Sequence, residues 1–279
     1  MIIPPNGLQS SLMAKRELIG KFVSRNLKIR YKNSVLGFFW SLLTPLCSIL
    51  MYAIFAKLLK FGGDGYLPYL ITGIIAWQFT VSCLNDSLHA IVGNSNLVKK
   101  VFFPRIILPL STALANAINF FLTFIVLVLY LVVSGSADFT DIWLILPAFA
   151  MQMVLCLGIA CFCSTSNVFF RDTEHIIGVV SQAWFFLTPI MYPMSFQTDV
   201  ITNKFTDSLL PWIYLNPMTG ILTLYRKALL GAKANLGQEL PAAVDGWMPI
   251  CLSFAACLLV LFLGRTVLRV GDRKFGDVL

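Results

Sequence analysis

Two stripes of side chains in this sequence could hold a hydroxyl-rich solute without making or breaking a bond. In the first, Gly37, Ser41, Thr44, Ser48, Tyr52 and Phe55 recur at steps of three or four, which sets small hydroxyls and terminal aromatics on one helix face. In the second, Ser181, Phe185, Thr188 and Tyr192 repeat the pattern, with Trp184 beside them and Pro189 predicted to bend the helix. Hydroxyls exchange hydrogen bonds with sugar hydroxyls, and aromatic faces lie against the C–H faces of sugar rings and permit sliding. Gly, Ser and Thr also populate the packing faces of membrane helices, so each stripe reads either as a conduit or as a helix seam.

Groups for covalent chemistry are scarce. No G-x-x-x-x-G-K-[ST] occurs, and Gly20-Lys21-Phe22 lacks the earlier glycine and the hydroxyl that cradle a nucleotide phosphate and its Mg²⁺. His89 and His175 fall at predicted membrane boundaries, so no Ser/His/Asp or Cys/His arrangement can be built. The expectation is a chain that is not an enzyme and carries no cofactor or metal of its own. Cys47, Cys83, Cys156, Cys161, Cys163, Cys251 and Cys257 all lie in apolar runs, as small helix residues rather than a disulfide framework or zinc site.

The elements that must position the stripes follow from composition. Of the 279 residues 58% are hydrophobic and 12% charged, with a mean hydropathy of +0.80, where a soluble domain carries about 25% charged residues. A helix needs about 20 apolar residues to cross the hydrocarbon core, and six runs free of Lys, Arg, Asp and Glu answer to that length: 35–56, 66–85, 106–133, 142–170, 176–196 and 247–264. The predicted fold is an all-α integral membrane protein of six transmembrane helices, with spans at about 35–59, 66–88, 106–133, 142–170, 176–196 and 247–264. Their interiors hold no ionisable carboxylate, which argues against a proton-coupled carrier.

Basic residues are retained on the cytoplasmic side. Fifteen of the 21 Lys and Arg fall on one side, in the segment 1–34, the second and fourth loops and the tail 265–279; six fall on the other. Both termini are therefore predicted to be cytoplasmic. The net charge of +8 is accounted for by topology, and no nucleic-acid partner is needed.

Residues 12–32 read as an amphipathic interface helix. Glu17, Lys21, Ser24, Lys28 and Lys32 share one face and Leu18, Ile19, Phe22, Val23, Leu27 and Ile29 the opposite half, so the helix serves as a lipid anchor or as a docking surface. In the second loop Asn94 or Ser95 caps a short helix that Pro104 ends, with Lys99 and Lys100 near its C-terminus. The outer loop 197–246 holds a stretch 209–215 too short to span, a turn at Asn216-Pro217, and a helix from Met218 to Leu230 ending near Gly231; re-entrant or interfacial helices fit these lengths.

The stretch RNLKIRYKNSVLGFFWSLLTP (25–45) closely resembles the start of the membrane subunit of ABC-2 type polysaccharide exporters, which export O-antigen, capsule or teichoic acid. Similar matches are NSNLVKKVFFPRIILP (94–109), FRD (170–172), PIMYP (189–193), Asn216-Pro217 and the tail FGDVL (275–279), in the right order along essentially the whole chain. The resemblance implies a homodimeric permease in the inner membrane that pairs with two ATP-binding-cassette subunits, which carry ATP and Mg²⁺, and moves a lipid-linked polysaccharide. It implies ATPase contacts at Arg25, Lys28 and Arg30 and along Asn94, Leu97, Lys99, Lys100, Phe103, Pro104 and Arg105. It also implies a conduit lined by the first and fifth helices, which favours the conduit reading for Tyr52, Phe55, Phe185 and Tyr192, and short helices capping its outer end. Asn26 departs from the Asp common in the family, and Thr173 from an apolar residue.

The rivals are an ABC-2 exporter of another cargo, such as a lipid or drug, and an integral membrane transferase. The second would have to build its site from Asp172, Glu174 and His175, which serve equally well as interfacial anchors.

Overall fold

The computed structural model of the chain describes residues 8–31, 39–59, 65–101, 103–194, 212–231, 234 and 246–278. Every regular element among them is a helix: α1 (Leu8–Tyr31), α2 (Trp40–Leu59), α3 (Tyr66–Leu88), α4 (Ser95–Lys100), α5 (Ile107–Val133), α6 (Ile145–Phe169), α7 (Thr173–Leu187), α8 (Pro217–Leu230), α9 (Trp247–Asp272) and α10 (Phe275–Val278). Residues 35–38 of the first expected span and most of the 197–246 loop lie outside the described residues.

Among the described residues four helices are long and apolar enough to cross a membrane: Tyr66–Leu88, Ile107–Val133, Ile142–Phe169 and Trp247–Asp272. They coincide with four of the six expected runs, with one difference. The last helix was expected to stop near Gly264, yet α9 continues to Asp272 because nothing after Gly264 interrupts the backbone ladder. Arg265 and Arg269 ride on its exposed side. The outer surface is apolar, as lipid demands: on α5, Ile118, Phe121, Ile125, Leu129 and Val132 are exposed while Ala113, Ala117, Phe120, Leu127 and Leu131 are buried on the other face.

A larger correction concerns the fifth run. A continuous helix over 176–196 was expected, bent at Pro189. Instead α7 ends at Leu187, and Thr188 is extended at φ −100, ψ 137. The cause is local: Pro189 removes a donor and its ring pushes the preceding residue out of the helical region. Fifteen residues reach only about 22 Å, short of the roughly 30 Å hydrocarbon core, and the chain after Thr188 continues without a helical ladder.

α8 matches the expected 218–230 helix. Pro217 occupies its first turn, the Asn216 side chain accepts from Met218 N at 3.2 Å, and Gly231 at φ 51 closes the C-terminus. It is not a surface helix: it packs against α3, α6 and α9, and Met218, Ile221, Leu222, Tyr225 and Leu229 are buried. Met218 Sδ meets Thr80 Oγ1 at 3.4 Å, which sets the N-terminus of α8 about 20 Å along α3 from Tyr66.

The tightest seam joins α6 to α9. Gly158 and Gly264 face each other so closely that a Cβ built on Gly264 would stand 2.1 Å from the Gly158 carbonyl oxygen, and one on Gly158 would stand 2.7 Å from the Leu261 backbone. Close backbone approach through small residues is the usual way membrane helices gain contact where lipid gives no hydrophobic drive. All seven cysteines are free thiols within these helices.

Candidate transport and coupling site

The first conduit stripe falls on α2. Thr44 is exposed, Ser48 and Tyr52 are half-buried, and Ser48 Oγ donates to the Thr44 carbonyl at 2.9 Å. Ser41 and Phe55 belong to the same helix, but their side chains lie outside the described set. α2 packs on α3 and α5, whereas α7 packs on α3 and α6, and no extensive α2–α7 packing joins the two stripes within one chain.

The second stripe is divided by the end of α7. Ser181, Trp184 and Phe185 remain helical, with Ser181 Oγ donating to the Gly178 carbonyl at 2.9 Å. Trp184 and Phe185 meet Trp77 of α3 edge-on, with ring centroids 5.3 Å and 5.6 Å apart. Thr188 and Tyr192 lie beyond the helix. Thr188 is fully buried: its hydroxyl donates to the Trp184 carbonyl at 2.8 Å and accepts from Asn216 Nδ2 at 2.8 Å. Tyr192 is half-buried, and its hydroxyl donates to the Phe186 carbonyl at 2.8 Å.

Asn216 is the hub beneath this cluster. Besides capping α8, its Oδ1 accepts from Trp184 Nε1 at 2.8 Å. Sequence reading takes it only as a turn. Asn216→Ala is expected to lower stability by about 2–3 kcal/mol, summing a lost cap of about 1 kcal/mol and two hydrogen bonds of about 1 kcal/mol each. The check is the thermal midpoint in detergent, with Thr188→Val as the milder control at about 1 kcal/mol; an unchanged midpoint for Asn216→Ala would remove its role as hub.

The non-helical PIMYP segment would leave four carbonyls bare, and three side chains supply them with donors. Arg226 of α8 donates through Nη1 to the Pro189 carbonyl at 2.7 Å and through Nη2 to the Ile190 carbonyl at 3.1 Å. Tyr66 and Tyr69 of α3 donate to the Met191 and Tyr192 carbonyls at 2.6 Å and 3.1 Å. Arg226 is 4% exposed, also donates to the Tyr69 hydroxyl at 2.7 Å, and lies over that ring at 3.4 Å from its centroid. No acidic partner of Arg226 occurs among the described residues. Gly73 makes the space, since a Cβ there would stand 2.7 Å from Arg226 Nη2. Carbonyls freed from a helix and buried need donors, and this buried guanidinium supplies two of them. The topology count took Arg226 as an outer-loop charge; its place four residues after Leu222, within an apolar stripe, was the available signal.

At the opposite end, α1 begins at Leu8, four residues before the expected start. Phe22 is buried and stacks on Phe103 at 6.0 Å, so part of the apolar half packs inward. Ile29 is not covered, being 58% exposed. Several polar residues point inward instead: Arg25 donates to Asn94 Oδ1, Asn26 Nδ2 donates to Ser111 Oγ at 3.4 Å, and Arg30 pairs with Asp86 and reaches Asn116 Oδ1 at 2.9 Å. The reason is that polar groups at the ends of α3 and α5 meet this edge of α1, beside the apolar cluster that takes Phe22. On the outer face Lys21 bonds Glu17 at 2.7 Å, which holds that carboxyl below the usual carboxylate range.

α4 follows α3 as expected, but Asn94 does not cap it, its side chain being taken by Arg25 and the Ala90 carbonyl, and it ends at Lys100 rather than at Pro104; Lys99 and Lys100 are exposed and Leu97 and Phe103 pack against the cluster around Phe22 and Val98. Its end is fastened by the tail. Arg105 Nη1 reaches Asp272 Oδ1 at 2.6 Å, and its guanidinium stands 5.6 Å from the centroid of the fully buried Phe275 ring. Pro104 stays exposed. Among the described residues no cluster of His, Cys, Asp and Glu could hold a metal ion.

A helical membrane domain with an interrupted helix held open by buried hydrogen bonds, and with a basic helical edge at its predicted cytoplasmic end, has the form of a membrane transport subunit. The chain belongs to the ABC-2 type transporter family, whose profile matches residues 17–230. It is 32% identical to the O-antigen export system permease protein RfbA of Klebsiella pneumoniae over 223 residues, covering 78% of this chain and 82% of that protein. The Myxococcus xanthus protein of the same name is 29% identical over 220 residues, with the same two coverages of 78% and 82%. The polysialic acid transport protein KpsM of Escherichia coli is 23% identical over 226 residues, 77% of this chain and 82% of that one. These relatives are transport proteins rather than enzymes, and family membership implies an ATP-binding-cassette partner and residence in a membrane.

Proposed function

We propose that this chain is the membrane-spanning half of an ATP-driven exporter that moves a lipid-linked polysaccharide, O-antigen in kind, across the inner membrane. The observation that carries the reading is the 32% identity to O-antigen export permeases across most of both chains. The lower identity to the polysialic acid transporter makes a capsular cargo the second choice. In this reading α2 and the broken α7 complete six spans, both termini face the cytoplasm, and α8 is a re-entrant helix of the outer half.

Two copies would form the passage, with the α2 residues Ser41, Thr44, Ser48, Tyr52 and Phe55 opposite the α7 edge of Ser181, Trp184, Phe185, Thr188 and Tyr192. The chain holds no cofactor; ATP and Mg²⁺ belong to two partner ATPases. Those partners would bear on Lys28, Lys99 and Lys100 and on the segment from Asn94 to Arg105. Arg30 ties α1 to α3 and α5 and Arg25 ties it to Asn94 before α4, so that a push on α1 moves the bundle, and Arg105 passes a push on α4 to α9 through Asp272.

The test is removal of the gene from the host. Export fails, and polysaccharide on its lipid carrier accumulates inside the cell until the intact gene is restored. Unaltered surface glycan in the deletion strain would refute the reading.

A further inference from the structure

We propose that the cavity between α1 and the cytoplasmic ends of α3 and α5 binds a phosphate group carried by an anionic membrane lipid. The proposal goes beyond the export reading and stands without it. The cavity has a volume of about 390 Å³, and its polar wall includes Arg25, Asn26, Arg30, Asp86, Asn94 and Ser111.

Charge is unbalanced there. Arg30 is matched by Asp86, whose Oδ2 also accepts from Asn116 Nδ2 at 2.8 Å, so that pair is neutral. Arg25 has no such match: its guanidinium donates to the uncharged Asn94 amide oxygen and lies 5.3 Å from the Phe22 ring centroid. Its Nε is buried without a hydrogen-bond partner, and none of the ion pairs among the described residues includes it. The other titratable group on the wall, His89, faces Glu174 at 3.7 Å. Among the described residues this half-buried positive charge faces the cavity without an anion, and drawing a cation out of water unpaired is costly. A phosphate supplies oxygens for the fork of Arg25 and for nearby amide N–H groups.

The rim selects the carrier. Leu27 and Ile29 form an apolar lip, Ile29 exposed toward the surroundings, beside the cationic interior. An apolar lip over a basic hollow, under an amphipathic helix at the predicted membrane boundary, fits a molecule whose phosphate and acyl chains are joined.

The experiment uses the purified full-length chain in nanodiscs and in neutral detergent, with phosphatidylglycerol, phosphatidylcholine and inorganic phosphate as probes. Retained lipid is counted by native mass spectrometry. Phosphatidylglycerol is expected to stay bound where phosphatidylcholine does not. Arg25→Gln should lower its retention about tenfold and Arg25→Lys less. Asn26→Asp, nearly the same size, places a carboxylate on the wall and should also lower retention about tenfold with the thermal midpoint preserved. Equal retention of both lipids, or phosphatidylglycerol retention unchanged in Arg25→Gln and Asn26→Asp, would overturn the site. Equal thermal stabilisation by inorganic phosphate alone would overturn the lipid as its source. Crosslinks from position 25 to a partner ATPase that expel the lipid would assign the cavity to that partner and overturn the proposal.

Discussion

Replacing Arg226 by Gln is expected to lower the stability of the folded chain by about 2–4 kcal/mol and to abolish transport. Three donor contacts vanish, to the Pro189 and Ile190 carbonyls and the Tyr69 hydroxyl. Hydrogen bonds from charged groups contribute about 1.5–3 kcal/mol each, and a buried carbonyl left bare costs about 1–3 kcal/mol. The loss is smaller than the sum because the guanidinium is itself costly to bury and its Nε has no partner. The measurements are thermal unfolding in detergent and protein abundance in membranes. Arg226→Lys, with one compact head in place of a planar fork, should recover less than half of the difference. Tyr69→Phe should cost about 1 kcal/mol. Combined with Arg226→Gln it should add less than that, because the two side chains share one network. Wild-type stability in Arg226→Gln would mean that the PIMYP carbonyls are satisfied by other means.

The second large effect is expected at the α6–α9 seam. Gly264→Val would drive a branched side chain into the Gly158 carbonyl, where even a single carbon stands at 2.1 Å. Backbone cannot rotate away as a side chain can, so the helices must separate along the most extensive interface in the bundle. Overpacking costs about 1–3 kcal/mol in ordinary cores, and this position belongs at or above the upper end. The expected outcome is loss of most folded protein, read as abundance and monodispersity after extraction. Gly20→Val is the control, since a Cβ there meets nothing within 4 Å. If both variants accumulate equally, the seam is not a close backbone contact.

These two positions also mark where sequence reading succeeds and where it stops. Apolar runs over 66–85, 106–133 and 142–170 announce helices because lipid imposes a length and forbids charge. Asn216-Pro217 and Gly231 announce the ends of α8 because capping is local chemistry. Pro189 was recognised, but whether proline bends or ends a helix depends on who receives the freed carbonyls. Those receivers, Tyr66, Tyr69 and Arg226, lie more than thirty residues away in sequence. Likewise the stripe from Ser181 to Tyr192 has helical spacing, yet its last two members leave the helix. The inward turn of Arg25 and Arg30 was hidden for a related reason: periodicity sorts residues by polarity, and here the bundle offers α1 polar ends to lie on.

The break after α7 has a mechanical consequence. A continuous helix resists stretching because each turn is bolted to the next, but the PIMYP stretch is bolted sideways, to α3 and α8, by four side-chain bonds. It therefore behaves as a tether rather than a strut. A shift of α7 along its own axis is passed laterally to α8, so an axial displacement is turned into a tilt.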